Sequence, residues 1–296
     1  MIQAFVEAVC ACQSERDFWQ VHMRTEAELT PLEIDALCMR GHRLPEHTRA
    51  WLNAMASYGG FMNAAPQRFW RRRVSNDIDF YCDPSVPVRE KCLVFAFCGS
   101  AHRLMMPIPC TLQYLPADRC DVVVLRDQSH MHYMHGIHPY ASSFLDLVRK
   151  LAADLRAAEY RSICTYGTSM GGFVALRCGI VLNARRAISV GGATAWQPPR
   201  LVRNQYFPAF DFLCRCNMKT EVSLYCCYPA DHLADAAAAA HIASFLPVRH
   251  LPIAGISTHN VIFELWRRNE LAAFYNRVFD FNECEDISCE DEISAS

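Results

Sequence analysis

The chain has 296 residues, 52% of them hydrophobic and 20% charged, with a formal net charge of -2. This balance excludes an intrinsically disordered chain and gives no electrostatic bias toward nucleic acid, so no nucleic-acid partner is expected. No apolar run reaches the roughly 20 residues that span a bilayer, and residues 1–12 lack the basic start of a secretory leader, so the expectation is a cytoplasmic protein without a membrane span.

From residue 1 to about 60 the apolar spacing is helical: Phe5, Val6 and Val9, then Ile34 and Leu37, then Trp51, Leu52 and Met55 recur every three or four positions. Thr30 as N-cap, Pro31 at the first helical position and Glu33 closing a capping box predict a helix start, and another helix is expected from Pro45. The stretch "ALCMRGHRLPEHTRAWLNAMASYG" resembles one tetratricopeptide helical pair, but it does not recur at a fixed period, so no repeat array is read. "FWRRRVSND" reads as a solvated linker edge, with a basic and aromatic binding patch as the alternative.

From about Asn76 the pattern changes to short β-rich runs: "DIDFYC", "CLVFAFCG", "DVVVLRD", "RSICTYG", "RAISVGG", "VSLYCCY" and "VRHLPIAG". Residues 142–160 and 170–182 are long enough for crossover helices. Continuous apolar strands alternating with helices predict an α/β fold, a mostly parallel sheet covered by helices on both faces. The chain then divides into a helical N-terminal extension and linker over 1–75, the α/β domain over 76–280, and an acidic flexible tail over 281–296, whose residues 283–292 carry six carboxylates and no Lys or Arg. The sixteen cysteines form no C-x-x-C pair, and Cys92, Cys98 and Cys164 fall inside apolar strand-like runs, as buried reduced thiols do.

The run "RSICTYG" leads into Gly167-Thr168-Ser169-Met170-Gly171 and then into the helical "FVALRCGIVL". This is G-x-S-x-G in the strand-turn-helix setting of a nucleophile elbow. The turn crowds the backbone on both sides of Ser169, so Gly167 and Gly171 must lack side chains. The helix start puts the Met170 amide beside a developing oxyanion.

On these residues the sequence resembles the α/β-hydrolase superfamily over roughly residues 91–279. "FCGSAHRLMMP", "VVVLRD", "YGTSMGGFVALRCG" and "STHNVI" are further similar to small bacterial hydrolases encoded among surface-polysaccharide genes. The resemblance implies a catalytic order of Ser, then acid, then His. Ser169 is the nucleophile, Asp231 after "VSLYCCY" the acid, and His259 in "ISTHN" the general base. Asp235 is the competing acid; it precedes "AAAAAHIASFL", where a helix cap or first-turn role explains it, and Pro229 is expected to stop the strand and aim Asp231 at the site. The second oxyanion amide is assigned to Ser100 in the loop from Cys98 to His102, with Ala101 next to it.

His130, His132, His135 and His138 in "HMHYMHGIH" read as a polar binding-site loop; the rival reading is a metallohydrolase site. Between Gly192 and Glu221 there is room for no large lid, so an open site is expected. There Trp196, Tyr206, Phe207, Phe210 and Phe212 supply either a partial cap over an acyl group or sugar, or core packing.

The expected activity is hydrolysis of a carboxylic ester or thioester, small-molecule or glycan-linked, through an acyl-enzyme, with no cofactor and no metal ligand. Two alternatives stand beside it. One is an acyltransferase using the same residues, and the other is a non-catalytic accessory protein of surface-polysaccharide assembly that docks through its N-terminal helices. A homo-oligomer is left open.

Overall fold

The computed structural model describes residues 2–61, 64–194 and 220–281. The helices α1 (Ile2–Ala11), α2 (Glu15–Glu28), α3 (Pro31–Met39) and α4 (Glu46–Gly59) come first. The expected capping box at Thr30 forms, with Glu33 N donating to Thr30 Oγ1 at 3.2 Å and Thr30 N donating to Glu33 Oε2 at 3.0 Å. A second box starts α2, where Ser14 and Asp17 exchange the same two bonds. Satisfying amides that a helix start leaves unpaired fixes where each helix begins.

Eight strands form one sheet: β1 (Trp70–Ser75), β2 (Ile78–Cys82), β3 (Cys92–Phe97), β4 (Cys120–Leu125), β5 (Ser162–Thr168), β6 (Arg186–Val190), β7 (Ser223–Pro229) and β8 (Arg249–Ile253). Their order is β1-β2-β4-β3-β5-β6-β7-β8. β1 and β2 run antiparallel, as do β2 and β4, and every later pairing is parallel. Helices α5 (Ile108–Gln113), α6 (Phe144–Asp154), α7 (Met170–Leu182), α8 (Leu233–Ala243), α9 (Val261–Arg267) and α10 (Leu271–Phe279) lie between or after the strands.

The strands are buried on both faces because alternate side chains enter different cores. On β3, Leu93, Phe95 and Phe97 join Phe144, Leu147 and Leu151 of α6 and Val174 and Cys178 of α7. Cys92, Val94 and Ala96 point the other way. They belong to one cluster with Phe5 and Val9 of α1, Ile34 and Leu37 of α3, Leu52 and Met55 of α4, and Leu271, Tyr275 and Phe279 of α10. The N-terminal helices are therefore a layer of the fold rather than an appendage.

"FWRRRVSND" is not a linker: it contains β1. Arg71 and Arg73 are ion-paired and Arg72 is exposed over the Phe80 ring, which is why an arginine run can be a strand. Asp79 of β2 is fully buried and accepts from Arg71 Nε at 2.8 Å and Arg73 Nε at 3.3 Å. It also accepts from Arg126 Nη1, beyond β4, at 2.8 Å. Glu28 at the end of α2 binds the same Arg71 and Arg73 at 3.4 and 2.8 Å. A buried carboxylate with three guanidinium partners is compensated, and removal of the partners would leave it costly.

The cysteines of the described residues are all free thiols, with Cys92, Cys98 and Cys164 buried. Burial pushes the Cys98 thiol up to about 12, so it is an inert packing group.

Candidate active site

Ser169 occupies the turn between β5 and α7 with φ 52° and ψ -119°. A serine at positive φ is strained by roughly 1–3 kcal/mol and persists only where its surroundings over-determine it. The ladder to β6 does so from one side, since Ser169 N donates to Val190 O at 2.9 Å. From the other side the chain closes tightly: a Cβ on Gly171 would collide with the carbonyl of Phe97, and one on Gly167 with the carbonyl of Gly171. Both glycines are required by this approach, as the motif predicted.

His259 follows β8 in the loop before α9, whose start is capped by the Asn260 side chain accepting from Phe263 N at 3.3 Å. Its Nε2 lies 2.9 Å from Ser169 Oγ. Its Nδ1 lies 3.0 and 2.9 Å from the two carboxylate oxygens of Asp235. An ionised carboxylate only accepts, so Nδ1 carries the proton and donates, leaving Nε2 free to accept from the serine hydroxyl.

The carboxylate beside His259 is thus Asp235, and the expectation of Asp231 is corrected. Pro229 is the last residue of β7, as expected, but the turn after it does not aim Asp231 at the site. Pro229 pairs with Ile253 in the β7–β8 ladder, and Ala230 N and Asp231 N continue the bonding to Ile253 O and Ile256 O at 2.9 and 3.2 Å. The chain turns directly after the proline, with His232 N donating to Pro229 O at 3.2 Å, and leaves Asp231 exposed in that turn, while the third residue of α8 reaches the imidazole. Asp235 is in the first helical turn, as its sequence position suggested, and is 6% exposed. A first-turn carboxylate also gains from the positive end of the helix.

The amide of Met170 begins α7 and accepts no role in the helix's own ladder, and Ser100 stands in the loop after β3. That loop lies directly against the serine: a Cβ on Gly99 would be 3.2 Å from Ser169 Cβ. Gly99 N is committed to Arg103 O at 3.0 Å, and Thr168 Oγ1 donates to the same carbonyl at 3.3 Å.

The histidine run does not converge on a metal-sized point. Asp127 shapes it, accepting from Ser129 N at 2.9 Å and Tyr133 N at 2.8 Å. Buried Tyr133 donates to the carbonyls of Cys98 and Leu125 at 3.0 and 2.7 Å. His130 stacks on His102 at 5.3 Å, outside the run. Among the described residues one three-residue group could hold a metal ion, and it is His232, Asp235 and His259. His232 was not singled out by sequence; its Nδ1 lies 3.1 Å from Asp235 Oδ2. The aromatic residues Trp196, Tyr206, Phe207, Phe210 and Phe212 lie outside the described residues.

No protein-family model matches the chain, and no curated protein does. Likeness is found among solved structures. An esterase from Pyrobaculum calidifontis aligns with a TM-score of 0.51 at 11% identity, covering 83% of this chain and 92% of its own. Esterase B from Lactobacillus rhamnosis gives 0.49 at 11% identity, covering 79% and 93%. A serine hydrolase without lid from Xanthomonas campestris gives 0.43 at 17% identity, covering 72% and 96%. With the sheet order described above, the first of these establishes the fold: the chain has the α/β-hydrolase fold. Fold alone does not assign chemistry.

Proposed function

We propose that the protein is a serine hydrolase of carboxylic esters or thioesters. The observation that carries this reading is the continuous hydrogen-bonded chain Ser169 Oγ, His259 Nε2, His259 Nδ1 and Asp235. Its first member is held at a strained elbow between β5 and α7. Ser169 Oγ attacks the acyl carbon as His259 Nε2 takes its proton. Asp235, the acid in place of Asp231, holds the ring's tautomer and stabilises the imidazolium.

The carbonyl oxygen gains negative charge and is met by the backbone amides of Met170 and Ser100. Collapse expels the alcohol or thiol, which leaves with the proton from His259. Water, deprotonated by the same imidazole, then releases the acid from the acyl-serine. These steps use only side chains, amides and water. Because the sequence resembles hydrolases encoded among surface-polysaccharide genes, a glycan-linked acyl ester is the first substrate class to test.

A fluorophosphonate probe tests the reading. The wild-type chain should be labelled at Ser169, and Ser169→Ala should lose labelling and at least about a thousandfold of ester turnover, since members of such a set act as a unit. Undiminished labelling of the Ser169→Ala protein would remove Ser169 as nucleophile.

A further inference from the structure

A cavity of about 270 Å³ lies between α2 and the loops that follow β3 and β4, with Arg24, Glu28, Asp77, His102, Arg103 and Arg126 in its wall. Most of these charges are already spent. Glu28 is held by Arg71 and Arg73. Asp77 Oδ1 accepts from Gln128 Nε2 at 2.7 Å. Arg103 pairs with Glu26, and Arg126 with Asp79.

What remains are two guanidinium donors, one unpaired cation and one imidazole nitrogen, which donates in the tautomer or charge state that carries its proton there. Arg24 is exposed and has no ion pair among the described residues. Arg126 is 4% exposed, and its Nε is buried without a hydrogen-bond partner. The Nε2 of His102 and the Nε of Arg103 are buried in the same condition. Unmet buried donors each cost free energy that an acceptor supplied by a ligand would recover. The unmet guanidinium donors and the unpaired Arg24, set against Asp77 whose carboxylate meets only the neutral Gln128 amide, favour an oxygen-rich anion.

The cavity also has a fixed relation to Ser169. Its His102 and Arg103 belong to the loop whose Gly99 abuts the serine. Arg126 directly follows β4, which is two strands from β5 in the sheet. At about 4.8 Å between neighbouring strands, the cavity lies on the order of 10 Å from the nucleophile.

We infer that this cavity is a substrate subsite for a carboxylate or phosphate group carried by the ester, held by Arg24, Arg126 and His102. The inference rests on the hydrolase reading above and adds the substrate's charge. It also gives α2 of the N-terminal layer a part in recognition.

The test has two arms, both on the full chain. In the first, p-nitrophenyl half-esters of dicarboxylic acids from succinate to suberate are compared with neutral p-nitrophenyl esters of equal length. The ratio of kcat/KM, anionic over neutral, should rise toward the longer acids. It should fall about tenfold or more in Arg24→Gln, through KM, as expected for one charge-assisted contact. In the second, the Ser169→Ala protein is titrated calorimetrically with suberate and with inorganic phosphate, alone and with Arg24→Gln added.

Binding of either anion that Arg24→Gln weakens supports the subsite, and the better-bound anion identifies the group. Such binding with an unaltered kcat/KM ratio keeps the subsite and moves the anion to the leaving group. Binding of neither anion, with equal kcat/KM for charged and neutral esters, overturns the subsite and leaves the hydrolase reading intact. Arg24-dependent binding in a protein that hydrolyses no ester overturns the hydrolase reading instead.

Discussion

A carboxylate in the first turn of a helix is favoured by the partial positive charge of that end, and in Asp235 the same carboxylate faces His259 Nδ1 at 2.9 Å. The cap-like position and the contact with the imidazole are therefore compatible, where sequence reasoning had treated them as rivals. Asp235→Asn should lower turnover by up to about 10⁴-fold by permitting the wrong imidazole tautomer, while Asp231→Asn, on an exposed turn, should leave it near wild type. Steady-state kinetics at matched folded content distinguishes them, and the reverse ranking would return the role to Asp231. The turn at Ser169, with its two glycines, was legible because an elbow is a local pattern with a local steric reason. The carboxylate beside His259 was not, because the sequence does not say whether the turn after Pro229 or the first turn of α8 reaches the imidazole.

Among the elements that sequence reading missed are α2 and β1. For α2 a signal was present in Ser14 followed three residues later by Asp17, a capping box with Asp in place of Glu. For β1 the arginine run hid the strand, because its partners are Asp79 on the next strand of the hairpin and Glu28, more distant at the end of α2. Helix α2 also carries His22, buried between helices, stacked on Trp51 at 4.6 Å and with Nε2 3.1 Å from Thr48 Oγ1. Burial, and then the neighbouring charge of His47, lowers its pKa to about 4. An unfolded chain takes up that proton near its ordinary value of about 6.5, so the contribution of neutral His22 is complete above that pH. It is lost progressively as pH falls toward about 4. The drop in Tm between about pH 7.5 and pH 4.5 should be larger in wild type than in His22→Gln, by circular dichroism; equal drops would show that His22 does not carry the acid sensitivity.

At the scale of the whole molecule, the sheet was legible because continuous apolar strands separated by helical segments have few other solutions. The role of the first sixty residues was not, since amphipathic helices look alike whether they cover their own sheet or dock elsewhere. Phe5, Ile34, Leu52 and Met55 share one cluster with Val94, Val122 and Tyr166 of the sheet. Deleting residues 2–61 would therefore uncover strand residues that are fully buried in the intact chain. The truncated protein should be recovered as insoluble or protease-sensitive material, judged by soluble yield and limited proteolysis. A soluble truncated form with the wild-type Tm would mean that the layer contributes nothing to stability.

The two outer strands have a consequence for how copies of this chain meet. Among the described residues β1 and β8 each pair with a single neighbour, so each presents a row of backbone groups that could template another chain. β1 carries the exposed Arg72 and Arg73 at that border, and β8 includes Pro252, which has no amide hydrogen. Like charges brought face to face on one side, and a missing donor on the other, oppose growth of the sheet from molecule to molecule. Exposed Arg72, which forms no ion pair among the described residues, thereby acts as a gatekeeper against fibre-like aggregation.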